Sequence, residues 1–528
     1  MKNKLLLLLL FICPYTFAQQ CPIVPLPNNI EALAGNFTLN NNTPVICKKG
    51  KLEKQANYLQ QELLKTTGLS LAIQSDSKLP AITLNLTHSS ERNSSAYRLE
   101  IRPNGIKVIA PTEQGIFYGI VSLVQLIRNS PIKNNTAIIQ CWNIKDFPRY
   151  QWRGILLDES RHFFGKQTVK EILDWMAFYK LNRFHWHLTD EPGWRIEIKG
   201  YPLLALSGGV GSYANPFSPS QYYTQEEIKE IVAYARERFI EVVPEIDMPG
   251  HATAANKAYP IFSGGGSVRN PEFTFNPGKD TTYAFLNKVL KEIDALFPSQ
   301  MMHLGGDEVS FGNEKWKQDE QVKQLMQKNN LPDLVAVEHY FSKRMADSVF
   351  HLNNKVLLWD EAADCDLPTD KTIIFWWRQD HPEQLKKALD KGFQTVLCPR
   401  LPFYLDFVQD STQRYGRKWQ GNYNPIEKLY DFTIQSLPVD KNQLDQILGI
   451  EAALWTENIQ SKLKLEYMLF PRITALAESA WTNDDQKNFS QFKERVKGQI
   501  KLYKRGDVYF YNPFAPSQTP EPFIATEL

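Results

Sequence analysis

Apolar and polar positions follow one rhythm up to residue 145 and another beyond it. In the first stretch, Lys51 to Thr67 carries Leu52, Ala56, Leu59 and Leu63 on one helical stripe, and Ile116 to Ile127 is a second apolar helix. Between them Ala81 to Leu86 alternates as a strand. Tyr97 to Ala110 predicts a hairpin turning on Asn104-Gly105, a pair suited to a tight two-residue turn. Residues 22–145 therefore predict a small α+β domain, and no chemically suggestive side chains cluster there.

From Trp152 the pattern changes to continuous apolar runs: Trp152–Leu157, Asn182–Leu188, Phe239–Ile246, Met301–Gly305, Lys355–Trp359, Thr372–Trp377, Phe393–Leu397 and Ile447–Leu454. A run apolar on both faces predicts a buried parallel strand. Helical segments lie between most of them, such as Thr168–Tyr179 and Thr224–Arg238, the latter opened by the capping pair Thr224 and Glu227. Eight strands alternating with helices over roughly 350 residues predict a (β/α)8 TIM barrel, making the chain α/β with a small α+β domain in front. The barrel is expected over 146–505 and a carboxy-terminal tail over 506–528, proline-rich and loose from Tyr511 on. Two connections, Ser207–Tyr223 and Pro402 to Leu444, are long and turn-rich, as lids and pocket walls are.

Composition narrows the function classes. A net charge of +2 is too balanced for a protein that binds nucleic acid by neutralising phosphates. The opening Met-Lys-Asn-Lys, the apolar run Leu5 to Ile12 and the small residue Ala18 predict an export signal at 1–18, hence a periplasmic or extracellular protein. That run is too short to span a membrane, and no later stretch is long enough. Without the signal five cysteines remain, scattered and without metal-ligand spacing, so neither a disulfide framework nor a zinc motif is indicated.

In a barrel, chemistry gathers at the carboxyl ends of the strands. The first run ends in Asp158, Ser160, Arg161 and His162; the second gives His185, His187 and Asp190; the third Glu245, Asp247 and His251. The fourth ends in His303-Leu-Gly-Gly-Asp307-Glu308, the fifth in Trp359, Asp360 and Glu361, and the sixth in Trp376 and Trp377. From the seventh come Arg400, Tyr404 and Asp406, and from the eighth Trp455 and Glu457. One polar strand end is ordinary capping, and Asp307 and Glu308 taken alone could simply start a helix. Eight together, with indoles from three, predict a sugar pocket: acids and an arginine for hydroxyls, aromatic faces for the ring. His185 and His187 read better as buried structural groups than as ligands. Of Trp376 and Trp377, adjacent on one strand, only one can face the site.

The motifs Asp158-Glu-Ser-Arg161-His-Phe, His185-Trp-His-Leu-Thr-Asp190, Pro244-Glu-Ile-Asp247-Met-Pro-Gly-His251, His303-Leu-Gly-Gly-Asp307-Glu308, Tyr404-Leu-Asp406 and Trp455-Thr-Glu457 resemble family 20 glycoside hydrolases, the exo-β-N-acetylhexosaminidases. The resemblance runs in order from Asp146 to Trp481, and the preceding domain resembles the family's small amino-terminal one. It implies substrate-assisted hydrolysis of terminal N-acetylglucosamine or N-acetylgalactosamine with retention of configuration, outside the usual two-carboxylate scheme. Glu308 would be the acid and base, its pKa raised by burial and by Asp307; Asp307 would stay ionised and orient the acetamide, and Tyr404 would donate to the acetamide oxygen. The resemblance further assigns Trp359, Trp377 and Trp455 to boxing the sugar and Arg161, Asp406 and Glu457 to its hydroxyls. Asp190, Asp247, His251 and His303 would support the acid pair. An oligosaccharide or glycoconjugate substrate is implied, with no cofactor or metal, no nucleic acid and no membrane. Two alternatives stand beside it: a metal-dependent barrel hydrolase using His185, His187, Asp247, His251 and Asp307, and a non-catalytic sugar-binding relative.

Overall fold

The computed structural model describes residues 20–48, 50–87 and 95–523. The expected export signal and residues 524–528 lie outside them. In the amino-terminal part a sheet runs in the order Asn29–Leu39, Thr136–Asp146, Tyr97–Arg102, Gly105–Ala110, Ile82–Leu86, Val45–Cys47, Ile73–Gln74. The hairpin forms, with Arg102 opposite Gly105, so its two turn residues are Pro103 and Asn104, one position earlier than expected. Proline's fixed φ suits the first central position of a turn.

The helix Glu113–Arg128 is buried all round its middle. It lies between this sheet and the barrel: Phe117 packs on Phe239, Tyr118 on Trp481, and the Tyr118 hydroxyl accepts from Arg153 (3.0 Å). A helix covered on both faces has no use for a polar stripe, hence its continuous apolar sequence. Asp146 joins the two parts, accepting from Tyr97, Lys180 and Trp481 at 2.6–3.1 Å in full burial.

The barrel closes with eight parallel strands: β1 Trp152–Asp158, β2 Arg183–His187, β3 Glu241–Glu245, β4 Met301–His303, β5 Lys355–Trp359, β6 Thr372–Trp376, β7 Gln394–Leu397 and β8 Ile447–Leu454, β8 pairing with β1. Each coincides with one of the apolar runs. β4 stops at His303 because Gly305 (φ 65°) and Gly306 (φ 88°) turn the chain out of the sheet. The capping pair Thr224 and Glu227 opens the helix Gln225–Arg236, while between β5 and β6 a 3-10 turn, Asp360–Asp364, stands in for a full helix. The register sets Asp158 beside His187, His187 beside Glu245, and Glu245 beside His303, placing four strand-end residues at one level.

The tail is not loose where it is described. The Tyr511 N–H donates to the Phe470 carbonyl (3.1 Å), and Glu521 pairs with the buried Lys464 (2.6 Å) while accepting the N–H groups of Arg414 and Tyr415. Paired charges and satisfied backbone groups order this segment despite its prolines. Among the described residues no helix is long and apolar enough to cross a membrane, and Cys21, Cys47, Cys141, Cys365 and Cys398 are buried free thiols.

Candidate active site

The turn after β4 brings the two adjacent acids into the barrel mouth. A Cβ at Gly305 would lie 1.9 Å from Asp247 Oδ1, so only glycine lets that carboxyl lie against the turn, where the Gly306 N–H donates to it (3.3 Å). Glu308 stands at the start of the 3-10 turn Val309–Phe311, but its side chain makes no capping bond and its backbone is left-handed (φ 53°). Helix capping therefore does not account for this carboxylate. A left-handed non-glycine residue costs about 1–2 kcal/mol, a strain characteristic of functional positions.

His251 Nε2 lies 3.6 Å from both Asp307 Oδ2 and Glu308 Oε2, and its Nδ1 meets Asp190 Oδ1 at 3.0 Å. Asp190 also binds Arg161 (2.6 Å) and His187 (2.9 Å). Against burial, which would lower it, the carboxylates of Asp190, Asp247 and Asp307 hold His251 well above the usual imidazole value. Burial first, then the charge of Asp307, lifts Asp247 well above the carboxylate range. Asp307 itself is pushed up to about 7 by burial, with Glu308 adding and His251 opposing. Of the two side chains, Asp307 keeps 16% exposure and Glu308 keeps 32%.

The aromatic wall comes from four strand ends. Trp377 stacks parallel to Tyr404 (6.4 Å, 5°), Tyr404 meets Trp455 at 6.0 Å, and Trp455 meets Trp359 at 6.1 Å. Trp377 joins this inner cluster and Trp376 the outer one, as alternation along a strand requires. Glu245 Oε1 fixes the Trp359 indole (2.9 Å), and Glu361 that of Trp377 (3.1 Å). Asp158 ties β1 to β8 by accepting from the N–H groups of Ser160, Arg161 and Thr456. Beneath the pocket, the buried Arg472 donates to the carbonyls of Leu405 and Phe407, fixing the backbone on both sides of Asp406. Burial lifts Asp406 to about 7, Arg417 opposing and the Glu457 charge adding.

The ring nitrogens of His185 and His187 face carboxylates on both sides: Glu451 and Glu245 for the first (2.8 and 3.2 Å), Glu245 and Asp190 for the second (2.5 and 2.9 Å). Against burial, those carboxylates hold His185 at about 9 and His187 well above its usual value. In the clusters His185–Glu245–His303 and His187–Asp190–Asp247 the imidazoles are taken up by ion pairs with Glu245, Glu451 and Asp190. Both histidines are structural, and His303, also on Glu245 (3.0 Å), is held down at about 4 by burial.

Twelve of the thirteen expected site residues converge on this barrel mouth, and His303 lies in the layer beneath it on Glu245. Arg378, the basic residue just beyond Trp377, pairs with Asp360 and Glu361, and two more residues were not legible in the sequence: Arg417, which pairs with Asp406 and Glu457, and Glu338, lifted to about 7 by burial and by Asp307. Neither Arg417 nor Glu338 sits at a strand end, and each reads as a solvated charge. Several buried atoms facing the mouth make no hydrogen bond: Asp307 Oδ1, Asp406 Oδ1, Trp455 Nε1 and Glu457 Oε2. Buried polar atoms are rarely left unmatched, so these have room for donors and acceptors from outside the chain.

The sequence profile for the glycosyl hydrolase family 20 catalytic domain matches residues 150–484, and that for the family's domain 2 matches residues 20–147. A beta-hexosaminidase of Porphyromonas gingivalis is 32% identical over 492 residues, covering 90% of this chain and 62% of the relative, so the chain spans just under two thirds of that protein's length. A beta-hexosaminidase of Vibrio furnissii is 32% identical over 485 residues, covering 88% and 77%. Among solved structures, the exo beta-N-acetylglucosaminidase of Vibrio harveyi in complex with N-acetylglucosamine superposes with a TM-score of 0.86 at 32% identity, covering 94% of this chain and 79% of that one. With both of its parts matched in order, the chain belongs to glycosyl hydrolase family 20.

Proposed function

We propose that the protein is an exo-β-N-acetylhexosaminidase that releases terminal N-acetylglucosamine or N-acetylgalactosamine with retention, the substrate's own acetamide acting as nucleophile. The observation that carries this reading is the set of unpartnered buried atoms, acceptors and donors both, enclosed by three indoles and a tyrosine around two adjacent carboxylates. Neighbouring acids cannot stand on opposite sides of one glycosidic bond, as a two-carboxylate mechanism requires. Of the acids beside the pair, Asp190 is held well below the carboxylate range by Arg161 and His251 against burial, and Asp247 lies against the Gly306 turn. A nucleophile from the sugar resolves this.

In the first step the acetamide carbonyl oxygen bonds to the anomeric carbon as the glycosidic bond breaks, and the Glu308 carboxyl gives its proton to the departing oxygen. The positive oxazolinium that forms needs an anion beside its N–H. Burial leaves ionised Asp307 short of a partner and pushes it up to about 7, against the opposing charge of His251. The developing cation supplies that partner, so ionised Asp307 is stabilised more in the transition state than before it. Tyr404 donates to the acetamide oxygen and holds it for attack. In the second step Glu308 takes a proton from water as that water adds to the anomeric carbon, which restores the acetamide.

Arg161, Asp406 and Glu457 close the far end of the pocket and admit only a chain terminus. Initial rates on 4-nitrophenyl N-acetyl-β-D-glucosaminide should exceed those on the matching β-glucoside by orders of magnitude. Comparable rates would exclude acetamide participation. The basic-then-apolar opening of the sequence supports an exported enzyme, which cell fractionation tests.

A further inference from the structure

At the hydroxyl-binding end of the pocket lies a cation that no barrel strand supplies. Arg417 belongs to the connection after β7, and its backbone is tied to the strand-end segment: its N–H donates to the Asp406 carbonyl, and its carbonyl accepts from the Val408 N–H, both at 3.1 Å. That tie sets the guanidinium against two buried acids. Its Nη2 pairs with Glu457 Oε1, and its Nε lies 3.4 Å from Asp406 Oδ2. The Arg417 side chain stays 50% exposed, whereas Asp406 and Glu457 are buried and still have unpartnered oxygens. Two carboxylates this deep repel each other; a cation between them fixes their spacing and leaves the outer lone pairs free for donors. The connection is pinned in turn by the carboxy-terminal segment, since Glu521 accepts from the N–H groups of Arg414 (2.6 Å) and Tyr415 (3.0 Å).

We propose that Arg417 is a positioning residue of the pocket, setting Asp406 and Glu457 to receive hydroxyls of the terminal sugar, and that Glu521 holds Arg417 in place from the far end of the chain. This role rests on the reading of the pocket as one for a terminal N-acetylhexosamine, and the test separates the two. The full-length protein and its R417M, R417K, E521Q and R417M/E521Q forms are compared by initial rates on 4-nitrophenyl N-acetyl-β-D-glucosaminide and by tryptophan-fluorescence titration with N-acetylglucosamine.

Arg417→Met should raise KM and weaken N-acetylglucosamine binding about tenfold, the loss of one charge-assisted contact, with kcat held within about threefold. Arg417→Lys should recover part of the loss, because it keeps the charge but not the planar fork. Glu521→Gln should move KM in the same direction by about threefold, and the double variant should be no worse than Arg417→Met alone, as residues acting through one contact are not additive. A fall in kcat with KM unchanged overturns the role of Arg417. Additive effects of the two substitutions overturn the link to Glu521. A parent protein that neither cleaves the glucosaminide nor binds the sugar overturns the reading of the pocket, and this role with it.

Discussion

Two layers of one barrel bury carboxylates and treat them in opposite ways. In the lower layer Glu245 is ringed by His185, His187, His303 and the Trp359 indole, and against burial the three histidines hold it well below the carboxylate range. In the upper layer Asp307 and Asp406 are buried nearly as well, yet both are pushed up to about 7 and keep oxygens without a partner. Burial is common to both layers, so it does not distinguish scaffold from site. What differs is where the compensating partners come from. The protein supplies them in full to Glu245, whereas Asp307 and Asp406 have only His251 and Arg417 beside them and keep room for more.

Substitutions in each layer should fail in different ways. Glu308→Gln should lower kcat by about 10³- to 10⁴-fold while leaving the melting temperature in place, since its carboxylate has no close partner to lose. Retention of more than a tenth of the parental rate would remove Glu308 from the acid role. Glu245→Gln should act the other way, costing about 3–5 kcal/mol of folding stability in urea titrations by stranding buried imidazolium groups. Unchanged stability there would erase the contrast between layers. Tyr404→Phe should reduce kcat about 10²-fold with the fold intact, as the loss of one preorganised donor does; an effect confined to KM would put the hydroxyl away from the reacting acetamide.

The subtlest difference lies in the pH dependence of stability. Folding raises the Asp307 value from 3.8 to about 7, so its contribution is fully present below about pH 4 and is lost as pH rises through 7. Asparagine cannot ionise. Asp307→Asn should therefore melt a few degrees above the parent at pH 8, with the gap closing toward pH 4 in thermal scans. A gap that widens on acidification would contradict the assigned shift.

The lower layer and the strand ends were legible in the sequence because a barrel imposes a simple rule. Continuous apolar runs mark buried parallel strands, and whatever follows each run faces the mouth. Asp190, His251, Tyr404 and Glu457 were found this way. Arg417 and Glu338 escaped because neither a loop nor a helix carries such a rule, and a charged residue there reads as solvated. The tail escaped for a related reason: its order depends on Glu521 meeting Lys464 and two backbone groups near residue 415, and proline content says nothing about such distant pairings. Asp307 and Glu308 also differ in exposure, 16% against 32%, which is a property of the fold. Two adjacent carboxyls look alike in sequence until one of them is turned outward.

The left-handed backbone at Glu308 makes the proposed proton donor an uncomfortable occupant of its own position. Asparagine tolerates that conformation far better than glutamate. Glu308→Asn should thus give a sturdier protein that still grips a glycan end and no longer cuts it, turning the hydrolase into a capture reagent for immobilised columns.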